Sequence, residues 1–110
     1  MLHYMNLQDK PFKMIDKGIK KIEMRLYDEK RRKISIGDVI EFSNGNNVIR
    51  AKVINLHRFN NFKELYANFS KDLLGYMEDE TADSVDMEKY YSVTEIENYG
   101  VIGIEIEKIN

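Results

Sequence analysis

The chain has 110 residues, 43% hydrophobic and 11% aromatic, which suits one core burying about two-thirds of the unfolded surface and excludes a disordered chain. It has no cysteine and only two histidines, His3 and His57, which excludes disulfides, iron–sulfur clusters, thiolate zinc sites, a cysteine nucleophile and a histidine-rich metal centre. The formal net charge of −2 hides a segregation: residues 10–33 net +6, the rest net −8, and Tyr76 to Glu88 holds six acids and no base.

Leu2 to Leu7 reads as a strand. Asp9-Lys10-Pro11 opens a short helix, since proline is tolerated in a first turn, and Gly18 stops it. Ile22, Met24 and Leu26 alternate with Lys21, Glu23 and Arg25, which predicts a strand with one apolar and one charged face. Tyr27 to Lys33 is polar and holds a helical turn. Val39 to Phe42 and Val48 to Leu56 flank Ser43-Asn44-Gly45-Asn46-Asn47. Asn-Gly adopts positive φ at little cost, so the two strands form a hairpin. The alternation breaks between Val53 and Leu56, which marks a bulge.

The next third is helical. Asn61 caps a helix whose Phe62, Leu65, Tyr66 and Phe69 follow the spacing of one buried face. Ser70 to Leu74 is a separate short turn ending at Gly75, and the acidic stretch is loop. Met87 to Tyr91 reads as helical, and Thr94 to Glu97 as a capping box of a helix ended by Gly100. Val101 to Ile109 is a strand, with Ile102, Ile104 and Ile106 on one face and Glu105 and Glu107 on the other.

No repeats or linkers interrupt this order, so a single domain spanning residues 1–110 is expected. The predicted fold class is α+β: a small curved mixed sheet or β-barrel of about five to six strands with flanking short helices. No apolar run is long enough to span a membrane, and no basic-then-apolar leader opens the chain. A cytoplasmic protein is the expectation.

Gly18-Ile19-Lys20-Lys21-Ile22-Glu23-Met24-Arg25, followed by Gly37-Asp38 before a strand, resembles the ASCH domain family. That family's pattern is a glycine after a helix, a lysine, a glutamate or threonine, an arginine two later, and then a Gly-Asp. Gly18, Lys20, Glu23, Arg25, Gly37 and Asp38 match it here, and Tyr99 to Ile104 looks like the family's last strand. The resemblance implies a fold similar to the PUA RNA-binding barrel and a role around RNA or nucleosides.

Alternation sets Lys21, Glu23 and Arg25 on one strand face, with Lys20 at the strand's start free to turn either way. Arginine clamps phosphate with two parallel hydrogen bonds or stacks on a base, and glutamate accepts from an exocyclic amine. The candidate ligand or RNA-binding residues are Lys20, Lys21, Glu23, Arg25, Tyr27 and Arg31, the last two at a basic turn that extends a backbone-binding surface. The same residues also read as an ion-pair ladder on a solvated sheet face. Among the aromatics, Tyr27 and Tyr90-Tyr91 are the stacking candidates, and His57-Arg58 adds to a cleft or is structural.

The expected function is an RNA- or nucleotide-binding module with a Lys/Glu/Arg ligand cleft, needing no cofactor and no metal. The partner is RNA or a nucleotide-like ligand. The alternative is a small amidohydrolase acting on an acylated or otherwise modified nucleoside. Relatives of that kind use a threonine, a lysine and a glutamate. Lys20 falls at the lysine position and Glu23 at the threonine position, so Lys20 and Glu23 would be the catalytic pair. Glu23 would then activate water, with a further carboxylate from Glu78, Glu80 or Glu88. A protein adaptor using the acidic loop is a third reading, without a specific motif behind it.

Overall fold

The structure is a computed structural model that describes residues 1–109. The elements in chain order are β1 (Leu2–Asn6), α1 (Asp9–Asp16), β2 (Ile22–Leu26), α2 (Glu29–Arg32), β3 (Val39–Asn44) and β4 (Asn47–Phe59). They continue with α3 (Phe62–Ala67), α4 (Lys71–Leu74), a 3-10 helix (Ser84–Lys89), α5 (Val93–Tyr99) and β5 (Val101–Lys108). The five strands form one curled sheet in the order β1-β3-β4-β5-β2. Only β1 and β3 run parallel; the other neighbours are antiparallel.

Period-two alternation divides the apolar residues between two cores. Met5, Ile40, Phe42, Ile102, Ile104 and Ile106 fill the inner face of the curl, which α1 closes with Ile15. Ile22, Met24 and Leu26 line the outer face under Phe62 and Leu65 of α3, Leu74 of α4, Met87 and Ile96. Each buried aliphatic side chain contributes about 1.5–3 kcal/mol, so the outer face of β2 is committed to packing.

The bulge predicted in β4 falls between Val53 and Asn55. It resets the alternation: Val53 points inward before it, Leu56 after it. The strand then runs on to Phe59, past the predicted end at Leu56, because Leu56 to Phe59 still pair with β5. The capping box of α5 is Ser92 with Glu95, rather than Thr94 with Glu97. Ser92 has the extended backbone of a cap, and its hydroxyl accepts from the Glu95 N–H at 3.1 Å while its own N–H donates back at 3.0 Å.

The Gly37-Asp38 pair has a structural use. Gly37 turns the chain at φ +96°. Asp38 then joins His3 of β1, at 2.8 Å, to the Ser35 N–H at 3.0 Å, and so ties β1 to the start of β3. The two edge strands, β1 and β2, face one another across the opening of the curl. Side chains bridge that seam: Arg25 donates to the Asn6 carbonyl at 3.1 Å, and Lys30 reaches the Tyr4 carbonyl at 3.5 Å. Two carbonyls of β1 are thereby occupied, which helps protect an edge that would otherwise recruit another strand. Among the described residues, no helix is long and apolar enough to cross a membrane.

Candidate functional site

One end of the β1–β2 seam opens into a cleft of about 560 Å³. Its floor is Lys20, Glu23 and Arg25, and Asn6, Leu7 and Gln8 supply one wall. Glu23 and Arg25 stand on the inner face because they pair with Ile104 and Ile102 of β5, which also point inward. The charged face read in the sequence is therefore the inside of the curl. Glu23 is 5% exposed and Lys20 only 4%.

The Arg25 guanidinium donates twice to Glu23 Oε2, from Nε at 2.9 Å and from Nη2 at 2.7 Å. Lys20 Nζ lies 3.3 Å from Glu23 Oε1 on the other side. It also donates to the carbonyls of Ile22 at 2.7 Å and Leu74 at 3.0 Å, so the ammonium has an acceptor for each of its protons. Burial disfavours the Glu23 charge, but Lys20 and Arg25 outweigh it and hold its pKa below the ordinary carboxylate value. Burial lowers the Lys20 pKa, with Glu23 opposing the shift and Arg25 adding to it. Burial also works against Arg25, and Glu23 more than compensates, so its pKa is raised. The floor carries two basic groups and one carboxylate, a formal excess of one basic group facing the cleft.

The acidic segment folds over this floor. Lys10 of α1 pairs with the Glu80 carboxylate, and Lys71 donates to the carbonyls of Glu78 and Glu80 at 2.7 and 2.5 Å. The Tyr76 hydroxyl donates to Asp86 at 2.7 Å and meets the Tyr66 hydroxyl at 2.8 Å. Asp86 only accepts, so Tyr76 gives its proton to Asp86 and Tyr66 gives its own to Tyr76. Burial first, and then Asp86, which accepts the Tyr76 proton, push the Tyr76 pKa up and keep the phenol neutral. Tyr91 stacks on Phe62 with ring centroids 6.0 Å apart, and its hydroxyl lies beside Arg25. Tyr66, Tyr76, Tyr90 and Tyr91 all line the cleft.

Three of the six candidate residues meet here: Lys20, Glu23 and Arg25. Lys21 does not join them. It precedes β2, its backbone is tied to Leu73 and Ile106, and its side chain is exposed. Strand alternation therefore does not reach it. Tyr27 and Arg31 also lie outside the cleft: Arg31 pairs with Asp28 at 2.7 Å, and the Tyr27 ring packs against the inner core and two arginines. Of the acids considered for hydrolysis, Glu80 lines the cleft, and Glu78 and Glu88 do not. Tyr90 and Tyr91 line it as stacking candidates, while His57 instead pairs with Glu105 at 2.8 Å. Sequence reasoning missed Tyr66, Tyr76 and Asp86. Tyr66 sits at helical core spacing, and nothing local marks the hydroxyls of Tyr66 and Tyr76 as partners.

The chain is similar to the crystal structure of hypothetical protein PH0355, at 34% identity and a TM-score of 0.85, covering 99% of this chain and 100% of that one. It is also similar to the solution NMR structure of protein PF0455 from Pyrococcus furiosus, at 33% identity and a TM-score of 0.75, covering 100% of this chain and 99% of that one. No curated protein matches the chain. The family model of the ASCH domain matches residues 5–110. With its curled five-stranded sheet and short flanking helices, the chain belongs to the ASCH domain family, a PUA-related α+β module.

Proposed function

We propose that this chain binds RNA through a single nucleotide, or a nucleotide-like ligand, held in the Lys20–Glu23–Arg25 cleft. The observation that carries this reading is a buried Lys20–Glu23–Arg25 floor beneath tyrosine walls in a space of about 560 Å³. That volume is typical of small-ligand sites and suits one nucleotide better than a duplex. Tyrosine faces stack on bases without sequence preference. Glu23 accepts from a base amino or imino group, and Arg25 donates to a phosphate or base carbonyl.

Binding is supported over hydrolysis by how the protons are already committed. The Lys20 ammonium donates to two carbonyls and faces Glu23. Glu23, with its lowered pKa, is a weak general base. The amidohydrolase reading asks both groups to act on substrate from these positions, with Glu80 as the nearby additional acid.

Titration of the purified protein with a panel of mononucleotides and nucleosides, followed by backbone amide shifts, tests the reading. The expected shifts cluster at residues 20–25 and at Tyr76 and Tyr91. Arg25→Ala removes a charged hydrogen-bond donor worth about 1.5–3 kcal/mol, a loss of roughly ten- to hundredfold in affinity. A wild-type protein whose cleft resonances stay still throughout the panel would overturn the reading. Turnover of an acylated nucleoside that Glu23→Gln abolishes would replace it with the hydrolase.

A further inference from the structure

We propose that Tyr27, Arg32 and Arg58 form a second contact site for single-stranded RNA, which grips the backbone beside the nucleotide held in the cleft. This rests on the reading of the cleft as a nucleotide site. The Tyr27 ring has the Arg58 guanidinium 4.2 Å from its centroid and the Arg32 guanidinium at 5.1 Å. Tyr27 itself is fixed, because its N–H donates to the Gly100 carbonyl at 3.0 Å and its ring packs against the inner core. With its ring engaged by guanidinium groups, Tyr27 organises cations rather than receiving a base.

Arg32 donates from Nε to the Tyr27 carbonyl at 3.2 Å, which leaves its two terminal nitrogens for a ligand. Among the described residues, neither Arg32 nor Arg58 forms an ion pair. Asp28 pairs with Arg31 at 2.7 Å, and Glu29, exposed on the same helix, pairs with neither arginine. A guanidinium held over an aromatic ring has lost much of its side-chain freedom. That is the preorganised fork that recognises phosphate.

The site also lies on a path from the cleft. Arg25 and Tyr27 are two residues apart at the C-terminal end of β2. Across the seam, Arg25 reaches the Asn6 carbonyl and Lys30 reaches the Tyr4 carbonyl. Those two acceptors are two residues apart on β1, roughly 6–7 Å along the strand. Cations therefore step along the seam from Arg25 to Lys30 and on to the arginines stacked on Tyr27. A row of cations leaving a nucleotide-sized cleft fits the repeating phosphates of a single strand.

The test compares a mononucleotide with a labelled oligouridylate of about ten nucleotides, a length that spans more than one contact. Binding of both is measured over a series of salt concentrations for wild type and for Arg32→Ala/Arg58→Ala. The double variant is expected to bind the mononucleotide as wild type does and the oligomer about tenfold more weakly. Its plot of log affinity against log salt should be shallower by about 1.4, for two phosphate contacts on a single strand. Arg32→Lys/Arg58→Lys keeps the charge and is expected to keep the slope while losing part of the affinity. Amide spectra matching wild type establish that both variants fold.

Wild-type affinity and slope for the oligomer in the double-alanine variant would overturn the proposal. So would polyglutamate binding to wild type as tightly as the oligomer, which would make the surface a general polyanion or acidic-peptide site. Oligomer binding that depends on the two arginines, without any mononucleotide binding, would support the arginine site and overturn the cleft reading alone.

Discussion

Glu23 and Asp38 each gather several partners on one carboxylate, Glu23 from its own segment and Asp38 from β1 and the turn before β3. Glu23, its side chain 7% exposed, lies between the Lys20 ammonium and the Arg25 guanidinium. Asp38, its side chain 14% exposed, lies between His3 Nε2 and the Ser35 N–H near the sheet's rim. Both pKa values are lowered, for different reasons. For Glu23, burial is the largest influence and works against the charge, and two neighbouring cations reverse it. For Asp38, the His3 contact comes first and the Ser35 hydrogen bond second, with burial a minor opposition. Removing Asp38 leaves the exposed Ser35 N–H and Met1 ammonium to water, and leaves His3, with a side chain 10% exposed, short of a partner. Removing Glu23 leaves two cations in a place from which water is largely excluded. The cleft floor thus depends on mutual compensation, and the rim does not.

The strongest way to break that comparison is Glu23→Ala. Stranding one side of a buried ion cluster costs about 3–5 kcal/mol, so the urea midpoint should fall sharply while the Asp38 contacts persist. Replacing the whole cluster sharpens the point. Lys20→Met/Glu23→Leu/Arg25→Met leaves no unpaired charge and should recover most of the lost stability, since apolar replacements of buried ion clusters are often neutral. Nucleotide binding should be absent from that triple variant. A Glu23→Ala protein destabilised by less than about 1 kcal/mol would place the cluster with ordinary surface pairs.

A smaller effect is expected at Gly75, which backs Lys20. Its φ is +101°, and an added Cβ would stand 3.0 Å from Lys20 Cδ. Gly18 has φ +75° and nothing within 4 Å of such a Cβ. Both glycine-to-alanine variants incur the left-handed backbone cost of about 1–2 kcal/mol. Gly75→Ala should lose more than Gly18→Ala, because it also displaces the lysine. Equal losses, measured by chemical denaturation, would show that the Lys20 stem moves aside freely.

Much of this architecture was legible from period and punctuation. The alternation of β2 and β5, the Asn44-Gly45 hairpin, the bulge after Val53 and the Asn61 cap all stand where local chemistry puts them. Lys20, Glu23 and Arg25 were marked by resemblance, and alternation alone put Lys21 with the last two. What a single strand cannot reveal is that the sheet curls. The curl turns the charged face of β2 inward and brings Asn6 against Arg25. The cleft walls depend on pairs far apart in sequence, such as Lys10 with Glu80, and the stack at Tyr27 needs Arg58 from β4. Neither leaves a periodic trace. The acidic run read as loop because its partners, Lys10 and Lys71, lie outside it.

Asp38→Asn should lower stability near neutral pH, with the difference from wild type closing in acid. In the folded chain the Asp38 pKa falls from the ordinary 3.8 to about 2. Between those values the unfolded chain binds more protons than the folded one, so stability rises with pH across the window. The contribution is fully present above the ordinary value and is lost as pH falls through about 2. Asparagine keeps an acceptor for the Ser35 N–H but carries no titrating charge. Urea midpoints measured from neutral pH down to about 2 should therefore fall less steeply for Asp38→Asn than for wild type. Glu23 titrates in the same direction, with its pKa also below the ordinary value, so part of the wild-type slope survives in Asp38→Asn. A variant whose acid limb overlays wild type would mean that His3 and Ser35 do not hold the Asp38 charge. The slope would then belong to the other carboxylates with lowered pKa values, Glu23, Asp72 and Glu80.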